Sequence, residues 1–390
     1  MRFTPSRGLI RAVGVLVLAM AAGFPAGSAN AGEWHAAVGG GGNFNFSPDF
    51  VGRGWVTFDA LGKEVVGNGD LRTYWNTEKI HVGIERLKFA NGKLAFFTFL
   101  EGEILLAQLL RDYFERGLRI REFGFNAAYV LLSNKLQWYP GKNQTLELLL
   151  PIRRWWFYPT GDTSSAYLLP PDTWSFEPRL GYVYWNVTSP QSEFEAYRVY
   201  PRIEGIAIGV RVGLDVRSNS RTWGLDDGRN DPGRVIYLTR QWLRAGWQFV
   251  PRARIQFAQW GSYGWGEDDI TRERVGGTSP YVVPIPGLPW TGLVSERLFS
   301  GELGVHLRAK PESPHEFGAL VAGGAFNDVR RVGALGRYGG TGGVALFADL
   351  RFGKQERYQV NVHLSYGFPV EWLLDSPYLA GLLAFGAHLF

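Results

Sequence analysis

From Tyr358 to Phe368 the side chains alternate without a break. Tyr358, Val360, Val362, Leu364, Tyr366 and Phe368 fall on one face of an extended chain, and Gln359, Asn361, His363, Ser365 and Gly367 on the other. A helix would mix the two sets, so period two over this length demands a β-strand. One face is apolar and the other polar, which places the strand between an oily and a wet environment. Arg252 to Trp265 behaves similarly, with Ile255, Phe257, Gln259, Gly261 and Tyr263 on a mostly apolar face. From Phe194 to Arg221 charges are again interleaved with apolar residues in a strand-like run.

Composition bears on which oily environment this is. The chain has 51 glycines, 15 tryptophans, 17 tyrosines and 26 phenylalanines, yet its mean hydropathy is only −0.11. After residue 31 no run reaches ~18 apolar residues, so a helical membrane protein is excluded. A transmembrane barrel has this balance, because lipid-facing and lumen-facing residues average out while Trp and Tyr collect at the interfaces. A soluble periplasmic sandwich or propeller would also be rich in glycine and aromatics. The final stretch, Gly381 to Phe390, separates the two. It is a strand-length run ending on phenylalanine, which resembles the C-terminal signal of bacterial outer-membrane barrels. Its more apolar face is Leu383, Phe385, Ala387 and Leu389, with Phe390 on the other face unless a bulge intervenes.

The amino end is a secretory signal. Arg2, Arg7 and Arg11 precede an apolar run from Ala12 to Phe24, and Ala29-Asn30-Ala31 is a small-x-small cleavage site. The reading divides the chain into a signal peptide, 1–31, and one outer-membrane barrel, 32–390. Loss of three arginines takes the formal charge from +5 to +2, so the basic balance argues for no nucleic-acid partner. The chain has no cysteine, which excludes a disulfide framework.

Turn signals stand at Ala90-Asn91-Gly92-Lys93, Ser133-Asn134-Lys135, Pro140-Gly141-Lys142-Asn143 and Gly353-Lys354-Gln355. Longer polar links run from Thr160 to Asp172, Gly224 to Gly233, Gly266 to Ser295 and Asp328 to Thr341. Short turns alternating with long loops suggest an up-and-down antiparallel barrel of about 14–16 strands, 16 preferred. One segment breaks the pattern. Glu103 to Arg116 has helix formers and an i, i+3, i+4 spacing through Leu106, Leu109, Leu110, Tyr113 and Phe114, which reads as a helix or as a misread strand pair.

Few residues suggest chemistry. His363 and Ser365 share a face as a hydrolase pair would, but that face is the polar one and Tyr366 follows, so they read as two polar lumen residues. The other histidines show no metal-ligand spacing. Gly39 to Gly42 lacks the residues of a phosphate loop and reads as a kink or a close backbone approach. Glu267-Asp268-Asp269 reads as a solvated loop, with cation binding as the alternative. No catalytic residue, cofactor or metal is assigned.

After Arg272 the order of features becomes more specific. Val275-Gly276-Gly277 opens a long loop; strands follow at Phe299 to Arg308 and Ala319 to Val329, the latter containing Phe326-Asn327-Asp328. Gly342-Gly343-Val344, the Tyr358 strand and the terminal strand complete the order. This resembles the barrel of the surface-antigen, or outer-membrane protein insertase, superfamily. There a Gly-Gly precedes a loop folded into the barrel, and a strand ends in Phe-x-Asp. The resemblance implies that Gly276 and Gly277 root the inserted loop, that Trp290 lies near its tip and that Asp328 is its barrel contact. Two departures stand against it: Gly287 to Gly292 has no arginine where the family carries Arg-Gly-aromatic, and cleavage after Ala31 leaves no room for periplasmic transport-associated domains. It implies a role in outer-membrane protein assembly, insertion or transport. The partners would be outer-membrane lipid, the assembly machinery through the C-terminal strand ending at Phe390, and polypeptide clients. A passive pore for small solutes is the alternative, and a lipid-acting enzyme a more distant one.

Overall fold

A computed structural model describes residues 33–47, 51–76, 79–103, 113–115, 118–187, 203–225, 230–276, 285, 293–328, 338–353, 356–368 and 378–389. Sixteen antiparallel strands close into one barrel. In chain order they are β1 (Trp34–Ser47), β2 (Val51–Val66), β3 (Gly69–Asn76), β4 (Lys79–Phe89), β5 (Leu94–Glu103), β6 (Phe125–Gly141) and β7 (Gln144–Pro159). Then come β8 in two pieces (Thr173–Phe176 and Arg179–Val187), β9 (Gly205–Arg217), β10 (Val235–Val250), β11 (Ala253–Trp265) and β12 (Leu293–Arg308). The last are β13 (Glu316–Asp328), β14 (Tyr338–Phe352), β15 (Tyr358–Gly367) and β16 (Tyr378–His388). The break in β8 falls at Pro178, which has no N–H for the ladder. Register survives it, because Phe176 faces Ile152 and Arg179 faces Leu149.

Every strand pairs with its neighbours in sequence, and β1 closes on β16 from Ala37 opposite His388 to Ser47 opposite Leu379. The turns at Gly67-Asn68, at Ala90 to Gly92 and at Gly353 lie at one end together with Trp34 and His388. Asn91 and Gly92 take the left-handed conformation there, at φ 55° and 80°, which Asn and Gly tolerate best. By the usual placing of short turns, this is the periplasmic end.

The outer surface is what a bilayer requires. Phe89, Trp138, Trp247, Phe352 and Tyr358 are exposed near the short-turn end, and Phe46, Trp75, Trp156, Trp174, Trp265 and Phe368 near the other. Between these girdles Leu132, Leu180, Val212, Leu303 and Leu346 stand outward. In water so much contiguous apolar surface would aggregate; against lipid it is matched. The molecule is a transmembrane barrel of the outer-membrane kind.

In β15 the alternation is realised residue by residue: Val362, Leu364 and Tyr366 are exposed outward, while Gln359, Asn361, His363 and Ser365 are buried inside. In β16, Leu383, Phe385 and Leu389 face lipid, and Leu382 and Ala384 face inward. Phe390 lies outside the described residues.

Three expectations change. Ser133-Asn134-Lys135 is no turn but the middle of β6, fully paired with Lys135–Ser133 opposite Leu149–Pro151 on β7; ladder pairing on both sides overrides a local turn signal. Glu103 to Arg116, read as a helix or as a misread strand pair, is strand at its described ends. Glu103 pairs with Lys79, and Tyr113–Glu115 forms a small hairpin with Leu118–Ile120, so strand partners win over helix propensity; 104–112 lie outside the described residues. β12, β13 and β14 are also longer than predicted, starting at Leu293, Glu316 and Tyr338. Phe194 to Arg202, the first part of one predicted strand, lies outside the described residues.

Candidate functional site

On the side of the barrel away from the short turns, the described residues of the loops after β7, β9 and β11 are held by two kinds of packing. The first is aromatic. Phe125 at the start of β6 and Trp155 on β7 meet Tyr167 and Trp223 from the loops after β7 and β9. Phe125 and Trp223 cross edge to face at 5.5 Å between centroids, a favoured geometry for buried rings.

The second is ionic. Arg217 ends β9 with only 4% of its side chain exposed. Its Nη1 and Nη2 donate to the two oxygens of Asp268 at 2.6 and 3.1 Å, and its Nε to Asp215 at 2.9 Å. Trp223 Nε1 also donates to Asp268, at 3.0 Å. Burial alone would raise the Asp268 carboxyl, but the bonded guanidinium holds it below the usual carboxylate range. Next to it, the Asp269 amide donates to Asn230 Oδ1 at 2.9 Å, and Arg272 bridges Asp269 at 3.1 Å and Glu296 at 2.7 Å. The acidic run is therefore neither a solvated loop nor a cation site. Its charges are buried and met by Arg217 and Arg272.

Glu267 is the exception. Buried beside Gly264 of β11, its carboxyl is pushed by desolvation up to about 9 from an ordinary 4.5, so at neutral pH it is protonated. The folded protein keeps a proton that the unfolded chain releases. This contribution to stability is complete below about pH 4.5 and is lost as pH rises to about 9. Urea midpoints of Glu267→Gln should fall less steeply than wild type across that window; parallel slopes would show that another group sets them.

Beyond this cap the chain enters the long link between β11 and β12. Glu273–Val275 pairs with the start of β12, and Gly276 turns at φ 120°, a value that favours glycine. Ile285, the one described residue beyond it in the link, is fully buried. Its Cδ1 lies 3.3 Å from where a Cβ on Gly324 would stand, on the lumen face of β13. Val275, Val294 and Phe326 around this region are likewise fully buried. Asn327 braces the link's exit: its Oδ1 accepts from Ser295 Oγ and from the Arg297 amide, both at 2.9 Å.

The predicted loop residues thus divide. Gly276 stands at the loop's root. The backbone of Asp328 pairs with Ser295; beside it Phe326 is buried and Asn327 makes the hydrogen bonds given above. Gly277, Trp290 and Phe390 lie outside the described residues. His363 and Ser365 are buried in the lumen wall, with Ser365 Oγ donating to the Ala380 carbonyl at 3.2 Å and His363 stacked on Phe347. Sequence reasoning missed Arg217, Trp223, Asn230 and Ile285. Each is unremarkable in its local sequence and matters only through a partner dozens of residues away.

Gly39 to Gly42 sits on the closing seam. Gly39 faces Gly386, Gly40 faces Phe385 and Gly41 faces Ala384. A Cβ on Gly40 would come within 2.8 Å of Phe385 Cζ on the lipid side. One on Gly41 would come within 2.7 Å of Trp55 Cζ2 on the lumen side. The run is a close backbone approach, as its composition suggested.

No protein-family model matches the chain, and no curated protein matches it. Among solved structures it is similar to BamA from Haemophilus ducreyi lacking POTRA domains 1-3, at TM-score 0.58 and 10% identity, over 91% of this chain and 70% of that one. It is similar also to CdiB from Acinetobacter baumannii, at TM-score 0.56 and 11% identity, over 91% of this chain and 60% of that one. CdiB from Escherichia coli follows at 0.52 and 10%, over 90% and 62%. The chain thus spans about three-fifths of the CdiB chains. At such identities the likeness is one of fold: the barrel is similar to those of BamA and CdiB.

Proposed function

We propose that this protein is an outer-membrane barrel of surface-antigen type that handles polypeptides at the membrane, in outer-membrane protein assembly, insertion or transport. The observation that supports it most is Ile285 of the β11–β12 link, buried against Gly324 on the inner wall. A barrel built for free diffusion would keep its inner wall wet. Here Ser300, Asn361 and Ser365 on that wall are 1–2% exposed. The seam lends further support. Cross-strand side-chain pairs are the main stabilising unit of a sheet, and the glycines of β1 remove several of them. The seam therefore relies on backbone hydrogen bonds and is the cheapest place for the wall to part toward lipid. In this reading residues 1–31 are removed after Ala31, and the terminal strand presents Phe390 to the assembly machinery.

The test uses the absence of native cysteine. Proteoliposomes of the full chain should accelerate folding of an unfolded outer-membrane barrel protein. Val38 and Ala387 are directly paired, at a Cα spacing of ~4.5–5.5 Å that a disulfide can span. Val38→Cys with Ala387→Cys should lose the acceleration when oxidised and regain it on reduction. No acceleration by the wild type, together with a stable open conductance in planar bilayers, would replace this reading with the pore.

A further inference from the structure

Arg179, Arg211 and Arg240 stand at one height on the lumen face of β8, β9 and β10. Arg211 is the direct cross-strand partner of Arg240. Like charges placed opposite each other destabilise a sheet, so this pair calls for an explanation. Each arginine is held at one edge by a carboxylate: Arg179 by Glu177, Arg211 by Glu147 and Arg240 by Glu273. Glu147 belongs to β7 and reaches Arg211 on β9 by lying across Gly181, where a Cβ would meet its side chain at 2.6 Å. The wall is thus shaped to orient the guanidinium rather than to bury it. Arg211 uses only Nε in that contact, and its side chain remains 45% exposed. Arg240 likewise engages Glu273 through Nε and remains 41% exposed. The terminal nitrogens of both have no protein acceptor among the described residues.

These nitrogens face a cavity of about 150 Å³ lined also by Trp242 and Trp260. Its charged lining is Arg179, Arg211 and Arg240 with Glu273, and Glu147 and Glu177 are bonded to Arg211 and Arg179. A planar fork with free terminal N–H groups matches a carboxylate in bidentate fashion, and the indole faces accept apolar parts of the same ligand. The geometry points to a binding site for the carboxylate side chains of an acidic peptide segment within the lumen. Arg179, Arg211 and Arg240 stand on the lumen face and not on the lipid belt, so a lipid headgroup in the bilayer does not reach their guanidinium groups. The peptide identity of the ligand rests on the polypeptide-handling role proposed above; the oxyanion chemistry does not.

Calorimetric titration of the full chain in detergent micelles tests this, using hexaglutamate, hexaglutamine and inorganic phosphate as probes. Hexaglutamate should bind in a salt-sensitive manner and hexaglutamine should not. Arg211→Gln and Arg240→Gln should each weaken hexaglutamate at least tenfold, while Arg252→Gln in the β10–β11 turn leaves it unchanged. Because Arg211→Gln leaves the buried Glu147 without its guanidinium, the Glu147→Gln/Arg211→Gln double variant is measured beside it; it should run as the heat-modifiable folded band and bind hexaglutamate at least tenfold more weakly, and wild-type affinity in it would overturn the site. Unchanged affinity in Arg211→Gln would also overturn it. Phosphate, or a uronic-acid oligosaccharide of equal charge, binding as tightly as hexaglutamate would overturn the peptide assignment. Failure of the folding-acceleration assay with hexaglutamate binding intact would remove the role proposed above and leave this site standing.

Discussion

Gly41→Val is expected to prevent closure of the barrel. A Cβ at Gly41 would stand 2.3 Å from the Leu383 carbonyl oxygen, 2.7 Å from Trp55 Cζ2 and 2.8 Å from the Ala384 Cα. Two of these neighbours are backbone atoms of β16, the strand that closes on β1, and backbone does not step aside as a flexible side chain can. Overpacking a well-packed site costs about 1–3 kcal/mol. Here the cost falls on the pairing that removes the barrel's two free edges, and an unclosed barrel leaves unpaired backbone groups in hydrocarbon. The heat-modifiable folded band on gels should disappear for Gly41→Val after refolding into detergent or lipid. Gly54→Ala is the matched control. Its added Cβ meets only the Gly41 carbonyl at 3.6 Å, and it should fold like wild type. A folded Gly41→Val barrel with normal mobility would mean that β1 and β16 do not approach as closely as described.

Asp268→Ala is expected to loosen the loop cap by about 3 kcal/mol, the usual cost of removing one partner of a buried ion pair. The substitution strips Arg217 of its bidentate partner and Trp223 Nε1 of its acceptor. Asp215 remains on Arg217 Nε, which keeps the loss at the lower end of the range. The measurement is limited proteolysis in intact outer membranes, where cleavage in the loop after β9 should become much faster while the strands stay protected. Arg217→Met combined with Asp215→Leu and Asp268→Leu should recover most of the loss, since apolar replacement of a whole buried ionic group is often neutral or better, whereas leaving Asp215 in place would strand a buried charge. If the triple variant is as labile as Asp268→Ala, the cap depends on the hydrogen bond to Trp223 more than on the charges.

How much of this was legible beforehand varies by element. β15 could be read residue by residue, because each of its faces meets a single environment and period two records that directly. The strand number was legible from turn spacing, even though Ser133-Asn134-Lys135 counted as a turn and turned out to be mid-strand. That error has a physical source: Ser133 and Lys135 are polar because they face the lumen, and in a barrel a polar triplet does not separate a turn from a wet face. Glu103 to Arg116 stayed open between helix and strand pair for a related reason, since its periodicity is local while the partner of Glu103, Lys79, is not. In the candidate site, the resemblance singled out Gly276 and Phe326 to Asp328, and the roles it implies for them are part of the proposal. The residues that hold the loops, Arg217, Asp268, Trp223 and Asn230, come together from separate links.

The sequence by itself determined the class of molecule: an all-β chain with one apolar and one polar face per strand, able to satisfy its backbone in lipid only by closing. It also placed glycines where β1 needed to be thin. Only the tertiary structure decided which strands meet at the seam, which loop residues lie inside the wall, and that the acids at 267–269 are buried rather than wet. The physical reason is range. Alternation and turn chemistry act between residues a few positions apart, whereas ion pairs such as Arg217 with Asp268, 51 residues apart, exist only once the sheet has closed and fixed where each loop can reach.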